Sequence, residues 1–224
     1  MVLNTNNVMI GNIKYGEGLI ATKNIKKGDV VLVEKCNVFT ILQYKDFMDP
    51  ACDSCFLVRA IVTDNKNKVN FDSFNLKSNQ SNSYVPSKDD MRFLKKLSKR
   101  TGKPLNKLIE IWEIVCAHHI KVILLQYNEV KKIRLQLSKY INKGNHSCDP
   151  NTIVKSHLNS SEDFNSKTVK LIASKDINEG DEITFSYIDE HFSNYDFNTR
   201  QQTLQSSCGF SCQCSKCESE VLCL

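Results

Sequence analysis

The chain lacks any long hydrophobic run: no stretch of its 224 residues approaches the ~18 uninterrupted apolar residues that a membrane-spanning helix needs. Its N-terminus also lacks an apolar signal core. The excess of one sign of charge is small. Against 25 Asp+Glu stand 30 Lys+Arg, a net charge of +5. The basic residues are scattered in short pairs, Lys95-Lys96, Lys99-Arg100 and Lys131-Lys132, which read as solvated helix faces. No aromatic residues interleave with them as a base-stacking platform would require. These absences predict no membrane contact and no direct nucleic-acid binding. Hydrophobic and charged contents of 41% and 25% are ordinary for a globular chain, long enough for one large domain or two small ones. Cysteine is what it has in quantity. Ten cysteines without a secretory signal argue for metal ligands and free thiols over a disulfide framework, and for the cytoplasm or nucleus.

The first forty residues read as strands, over Val8–Lys14, Leu19–Lys23 and Val30–Glu34, punctuated by glycines. A weak internal echo runs through this part. Ala21-Thr22-Lys23-Asn24-Ile25-Lys26-Lys27-Gly28-Asp29 reappears as Ala173-Ser174-Lys175-Asp176-Ile177-Asn178-Glu179-Gly180-Asp181, which predicts two similar β-turn-β corners. Asp64–Ser87, rich in Asn, Ser and Lys, reads as a mobile insertion. Helices are expected after Ser87, with its following Asp89-Asp90, and after Pro104, where Leu108, Trp112, Val115, His119 and Val122 recur at helical steps. Lys131–Ile141 reads as a third helical segment. Strands return at Thr152–His157, Thr168–Ala173 and Glu182–Tyr187, and Asn198–Gln205 reads as a short helix. The order is that of an α+β domain.

Two motifs carry chemistry. Cys212, Cys214 and Cys217 form a C-x-C-x-x-C tail, and a structural zinc site wants four soft ligands with no open position. Cys148, in Asn145-His146-Ser147-Cys148, is the natural fourth; a set of buried or redox-active thiols is the alternative. Tyr187 closes Gly180-Asp181-Glu182-Ile183-Thr184-Phe185-Ser186-Tyr187, where alternation sets Ile183, Phe185 and Tyr187 on one strand face; a core aromatic with a wet tip is its plainer reading.

Together with Gly16-Glu17-Gly18-Leu19, these segments resemble the SET-domain lysine methyltransferases, and more closely the SET and MYND (SMYD-like) branch. The run Asn145-His146-Ser147-Cys148-Asp149-Pro150-Asn151 matches the family's N-H-S-C-x-P-N. The resemblance implies a SET-domain β-fold: several small sheets with a pseudoknot, a helical insertion in the middle and a C-terminal post-SET zinc site. It places the SET domain at 8–190, interrupted at 50–142 by a degenerate MYND-like start and helices, and the zinc-binding tail at 191–224. It implies S-adenosylmethionine as methyl donor, held by Gly16, Glu17, Gly18, Asn145, His146, Tyr187 and Phe210, with Tyr187 catalytic. It implies structural Zn2+ on Cys148, Cys212, Cys214 and Cys217, and a protein substrate bearing the target lysine.

Departures from the family pattern are visible. Relatives frequently carry a basic residue where Glu17 stands, with Lys14 the nearby substitute, and closer relatives often have a second tyrosine at the place of Cys208. Both favour an alternative, a catalytically weak or inactive module that binds cofactor or peptide; a zinc-stabilised chromatin-interaction domain is a third reading. Cys52 and Cys55 begin a MYND-like pattern that is not completed, since two thiolates do not close a zinc site. The chain ends at Leu224, so a substrate cleft without the C-terminal helical lid of many relatives is expected.

Overall fold

The two halves of the internal echo pack against each other about a local pseudo-twofold axis. Ile25 and Ile177 form a reciprocal antiparallel bridge, with N–H···O distances of 2.8 and 2.9 Å. Gly28 N donates to Ala173 O and Gly180 N to Ala21 O, each at 2.9 Å. The side chains repeat the symmetry: Asp176 accepts from Lys27 N and Asn24 accepts from Glu179 N. Both corners turn through a glycine with positive φ, 91° at Gly28 and 87° at Gly180, where a Cβ would be strained. The echo is therefore a pair of interlocked corners in one β-fold.

The computed structural model describes residues 2–4, 6–14, 16–35, 38–43, 58–59, 61–62, 85–118, 120–126, 129–156, 168–188 and 191–222. Two compact units emerge. The first comprises Met1–Lys35, Tyr140–Ser156 and Thr168–Leu224, the second Cys36–Lys139 and His157–Lys167.

In the first unit, strands β2 (Val8–Ile13), β3 (Gly16–Ala21) and β4 (Val30–Lys35) match the runs read from sequence, and β1 (Val2–Asn4) precedes them as an additional strand. Here too lie β8 (Asn145–His146), β9 (Thr152–Ser156), β10 (Thr168–Ala173) and β11 (Glu182–Phe185). They form two four-stranded sheets, ordered β1-β4-β10-β9 and β2-β3-β11-β8. Alternation along β10 buries Val169, Leu171 and Ala173, and Leu19, Val31, Leu32 and Ile183 are likewise fully buried. Helix α3 (Phe197–Cys208) starts with an Asp196 cap on Thr199 N and is followed by the short α4 (Ser215–Val221).

Glu34, 1% exposed, aims its carboxylate at the backbone N–H groups of Tyr140 and Ile141, both at 3.0 Å. It thereby caps the 3-10 turn Ile141–Lys143 that leads into β8. Glu34→Ala strands these two donors at about 1–3 kcal/mol each. Urea unfolding is expected to show a loss of about 2–4 kcal/mol, and about half that for Glu34→Gln, which keeps one acceptor oxygen. A loss within ~0.5 kcal/mol, the range of an ordinary surface substitution, would exclude the capping role.

In the second unit, α1 (Lys88–Thr101) opens with a reciprocal capping box between Ser87 and Asp90 and closes at Gly102. With α2 (Leu105–His118) it buries Leu94, Leu97, Leu108, Trp112 and Val115 in one core. The predicted continuation of this helix to Val122, and the third helix over Lys131–Ile141, are both replaced by strands. β5 (Val38–Gln43), β6 (Ile120–Gln126) and β7 (Glu129–Leu137) pair in the order β5-β7-β6. The competing signal was period two: Ile133, Leu135 and Leu137 alternate with Lys132, Arg134 and Gln136, and Val122-Ile123 is β-branched. Cys36, Cys52, Cys55, His119, Cys223 and residues 64–84 of the Asn/Ser/Lys-rich stretch lie outside the described residues. Among the described residues, no helix is long and apolar enough to cross a membrane.

Candidate active site and metal centre

β11 is the strand on which the motifs converge. Its first half pairs antiparallel with β3, Glu182 opposite Ile20 and Ile183 opposite Leu19. Its second half pairs parallel with β8, Thr184 opposite Asn145 and Phe185 opposite His146. Asn151 fastens the other end of the N-H-S-C-x-P-N run, because its side-chain amide behaves as a rung of the sheet. Nδ2 donates to Glu182 O at 2.7 Å and Oδ1 accepts from Thr184 N at 2.8 Å. Thr152 Oγ1 adds a bond to Thr184 O at 2.7 Å. Asn145 is thus held where its half-buried side chain crosses the bare backbone of Gly18. A Cβ built on Gly18 would lie 3.1 Å from Asn145 Nδ2 and 2.6 Å from Ile13 Cδ1. Asn145 Nδ2 donates to Glu182 Oε1 at 2.9 Å.

His146 joins the tyrosine segment to the cysteines. Its Nδ1 accepts the backbone N–H of Tyr187 at 3.1 Å, so in the neutral ring Nε2 carries the proton and donates to Cys148 Sγ at 3.4 Å. Burial lowers its pKa to about 4, which keeps the ring neutral near pH 7. Tyr187 lies just past the end of β11, two residues short of the strand end expected from sequence, and stays 38% exposed. Its hydroxyl donates to Gly144 O at 3.0 Å. Its ring stands 5.4 Å from His146, 5.4 Å from Phe185 and 6.2 Å from Phe210, and Phe210 meets His146 edge-on at 5.9 Å.

Cys148, Cys212, Cys214 and Cys217 bring their sulfurs within 4.8 Å of one another, and Cys148 and Cys217 stand 3.6 Å apart. Four sulfurs around one zinc at the usual bond length are separated by about 3.8 Å, so the set fits a closed tetrathiolate. All four are free thiols; three are buried and Cys214 is half-buried. Hydrogen bonds shared within the set drive Cys148 well above, and Cys214 well below, the ordinary thiol range.

The remaining sequence-read positions have definite neighbours. Glu17 accepts from Lys143 Nζ at 2.8 Å, and Lys143 is only 13% exposed. Lys14, the expected substitute for a basic residue at 17, instead bonds Glu218 at 3.0 Å. Gly16 takes φ 105° at the start of β3. Cys208 ends α3 and packs on the cysteine core, where burial pushes its thiol up to about 11. Sequence reading missed Lys143, Glu182 and Arg200. Only Arg200 left a signal: a basic residue four before Leu204, on the stripe where the helix buries Leu204.

A β-fold of small sheets, with β8 laid parallel to β11 beside a cysteine-bound tail, is that of the SET domain. The SET domain pattern matches residues 16–188, and the chain belongs to the SET-domain family. Among its relatives, the histone-lysine N-methyltransferase SET5 of Candida albicans is 34% identical over 77 residues, 34% of this chain and 15% of that protein. A SET and MYND domain-containing protein of Dictyostelium discoideum is 38% identical over 78 residues, 35% of this chain and 20% of that protein. The aligned part is thus a small fraction of either relative's length. Among solved structures, the SET domain of LSMT bound to lysine and AdoHcy is similar with a TM-score of 0.54 at 12% identity, over 95% of this chain and 54% of that one. The same domain bound to methyl-lysine and AdoHcy gives a TM-score of 0.52 at 13% identity, over 89% and 55%. At these identities the likeness is one of fold.

Proposed function

We propose that this chain transfers a methyl group from S-adenosylmethionine to the side-chain amine of a lysine in a protein substrate. The observation that carries this reading is the half-exposed Tyr187 hydroxyl, fixed on Gly144 O next to the Asn145–Gly18 contact. The names of the SET5 relatives and the ligands of the LSMT domain point to the same chemistry. When bound, the sulfonium supplies an electrophilic methyl that a neutral lysine amine displaces, leaving S-adenosylhomocysteine. Gly16 and Gly18 let the backbone approach the cofactor, with Asn145 offering donor and acceptor to its amino-acid end. His146 presents its neutral ring and Phe210 an aromatic edge. Glu17 faces the site with its charge offset by Lys143. Tyr187 aligns methyl and amine and works as an orienting hydroxyl, since a phenol of pKa near ~10 is a poor base at neutral pH. Solvent takes the proton lost by the ammonium.

Zn2+ on Cys148, Cys212, Cys214 and Cys217 is structural in this reading, since four thiolates leave no open position. It holds Phe210 against the aromatic cluster. Residues 8–190 form the SET domain with its insertion at 50–142, and 191–224 form the zinc tail. The Dictyostelium relative favours the SMYD-like branch. The histone-lysine activity named for the SET5 relatives supports a nuclear site of action for this protein, with the cytoplasm as the alternative.

Isotopic methyl transfer from S-adenosylmethionine onto whole-cell lysate, followed by peptide mapping, tests the proposal. Label on lysine supports it; label on no protein, with cofactor binding intact by calorimetry, supports the non-catalytic alternative that Cys208 favours. Gly18→Ala tests the cofactor cradle. Its Cβ displaces Asn145 while the mobile end of Ile13 yields, so calorimetry is expected to show binding at least about tenfold weaker, or ~1.4 kcal/mol. Unchanged affinity would remove Gly18 and Asn145 from the cofactor site.

A further inference from the structure

Three of the four cysteine sulfurs face an N–H group. Cys148 takes His146 Nε2 at 3.4 Å and Cys212 takes the backbone N–H of Cys214 at 3.4 Å. Cys217 takes Arg200 Nη2 at 3.8 Å. Of these donors the Cys214 N–H is a peptide group, and the His146 ring presents the single N–H at Nε2 left by its Nδ1 accepting from Tyr187. Arg200 alone brings a full charge, which a guanidinium keeps at any working pH. Four thiolates around a divalent cation leave two net negative charges, and in a buried site these need a counter-charge.

Arg200 is built into that place. It is 1% exposed, on the face of α3 that also buries Leu204. Nη1 donates to Tyr195 O, and Nη2 pairs with Glu220 of α4 as well as reaching Cys217. Glu220, 35% exposed, shares Nη2 with the sulfur and draws on the same positive charge.

We propose that Arg200 is the positioning residue of the metal centre, its guanidinium offsetting the charge on the Cys217 side of the tetrathiolate and setting how readily the ion is lost. This rests on the zinc assignment made above. Neighbours of metal ligands change metal affinity by about 10–100-fold when removed. A guanidinium that merely clipped α3 to α4 would act through Glu220, so loss of either partner would loosen the site alike. A charge-offsetting guanidinium behaves differently, because removing the Glu220 charge leaves the guanidinium's charge undivided for the thiolates.

The experiment measures zinc content by elemental analysis, zinc release to a chromogenic chelator, and alkylation of each cysteine mapped by mass spectrometry. It uses the full chain and its Arg200→Met, Arg200→Lys and Glu220→Gln variants. Arg200→Met is expected to release zinc about tenfold faster or more, with Cys217 the first thiol alkylated. Arg200→Lys, which keeps the charge without the fork, should fall between. Glu220→Gln should release zinc no faster than the parent. If Arg200→Met does not fold, Arg200→Lys against Glu220→Gln gives the same contrast. Parent-like release and alkylation in Arg200→Met or Arg200→Lys would overturn the proposal, as would equal acceleration by Glu220→Gln. A folded parent protein without zinc would instead overturn the metal assignment beneath it.

Discussion

Replacing Tyr187 by phenylalanine is expected to lower methyl transfer by about 100-fold, or ~2.7 kcal/mol in the barrier, while leaving cofactor binding within a few-fold of the parent. The ring of Tyr187 is held by His146, Phe185 and Phe210, so the variant keeps its packing. The hydroxyl makes a bond to Gly144 O at a half-exposed position, where water can replace it. Its contribution to stability is therefore at most about 1 kcal/mol. Small loss of stability with large loss of turnover is the signature of a group that aligns reactants. Single-turnover transfer on a mapped substrate, read beside a melting curve, measures both. Turnover within about threefold of the parent, far from the 100-fold expected of lost alignment, would take the hydroxyl out of the reaction.

Replacing Cys148 by serine is expected to reduce bound zinc and release the tail. Structural zinc supplies about 10–16 kcal/mol in small zinc modules, comparable to the 5–15 kcal/mol that holds a whole domain together. Losing even about 4 kcal/mol of that corresponds to a fall of roughly 10 °C in melting temperature. The loss should be local: hydrogen exchange is expected to show residues 191–222 unprotected while the paired strands β2, β3, β4 and β10 stay protected. Methyl transfer should fall with the tail, because Phe210 then leaves His146 and Tyr187. A chelator-treated parent protein with a fully protected tail and full activity would refute this account.

The same physics explains how much of this protein could be read in advance. Strands β2, β3, β4, β9, β10 and β11 were legible because turns and β-branched runs mark them locally, whereas β1 and the two-residue β8 carry no such marks; the capping box at Ser87 is a four-residue signal. The hairpin β6–β7 was read as helix because apolar residues spaced by two and by four satisfy both periods over a short window. Pairing of β7 with both β6 and β5 selects the strands. Lys143 and Glu182 stayed hidden because their partners are distant: Glu17 is 126 residues from Lys143 and Asn145 is 37 from Glu182. A basic residue in a helix is ordinary until the fold surrounds it with sulfur.

Local chemistry was decided by residue types alone: which thiols are soft ligands, where glycine permits a turn, and that two matching corners exist. Their meeting was decided by the tertiary structure. The parallel register of β8 on β11, the approach of Cys148 to the tail cysteines and the hydroxyl that finds Gly144 O all depend on where segments tens of residues apart come to lie. No periodicity encodes that, because it follows from packing of the whole unit.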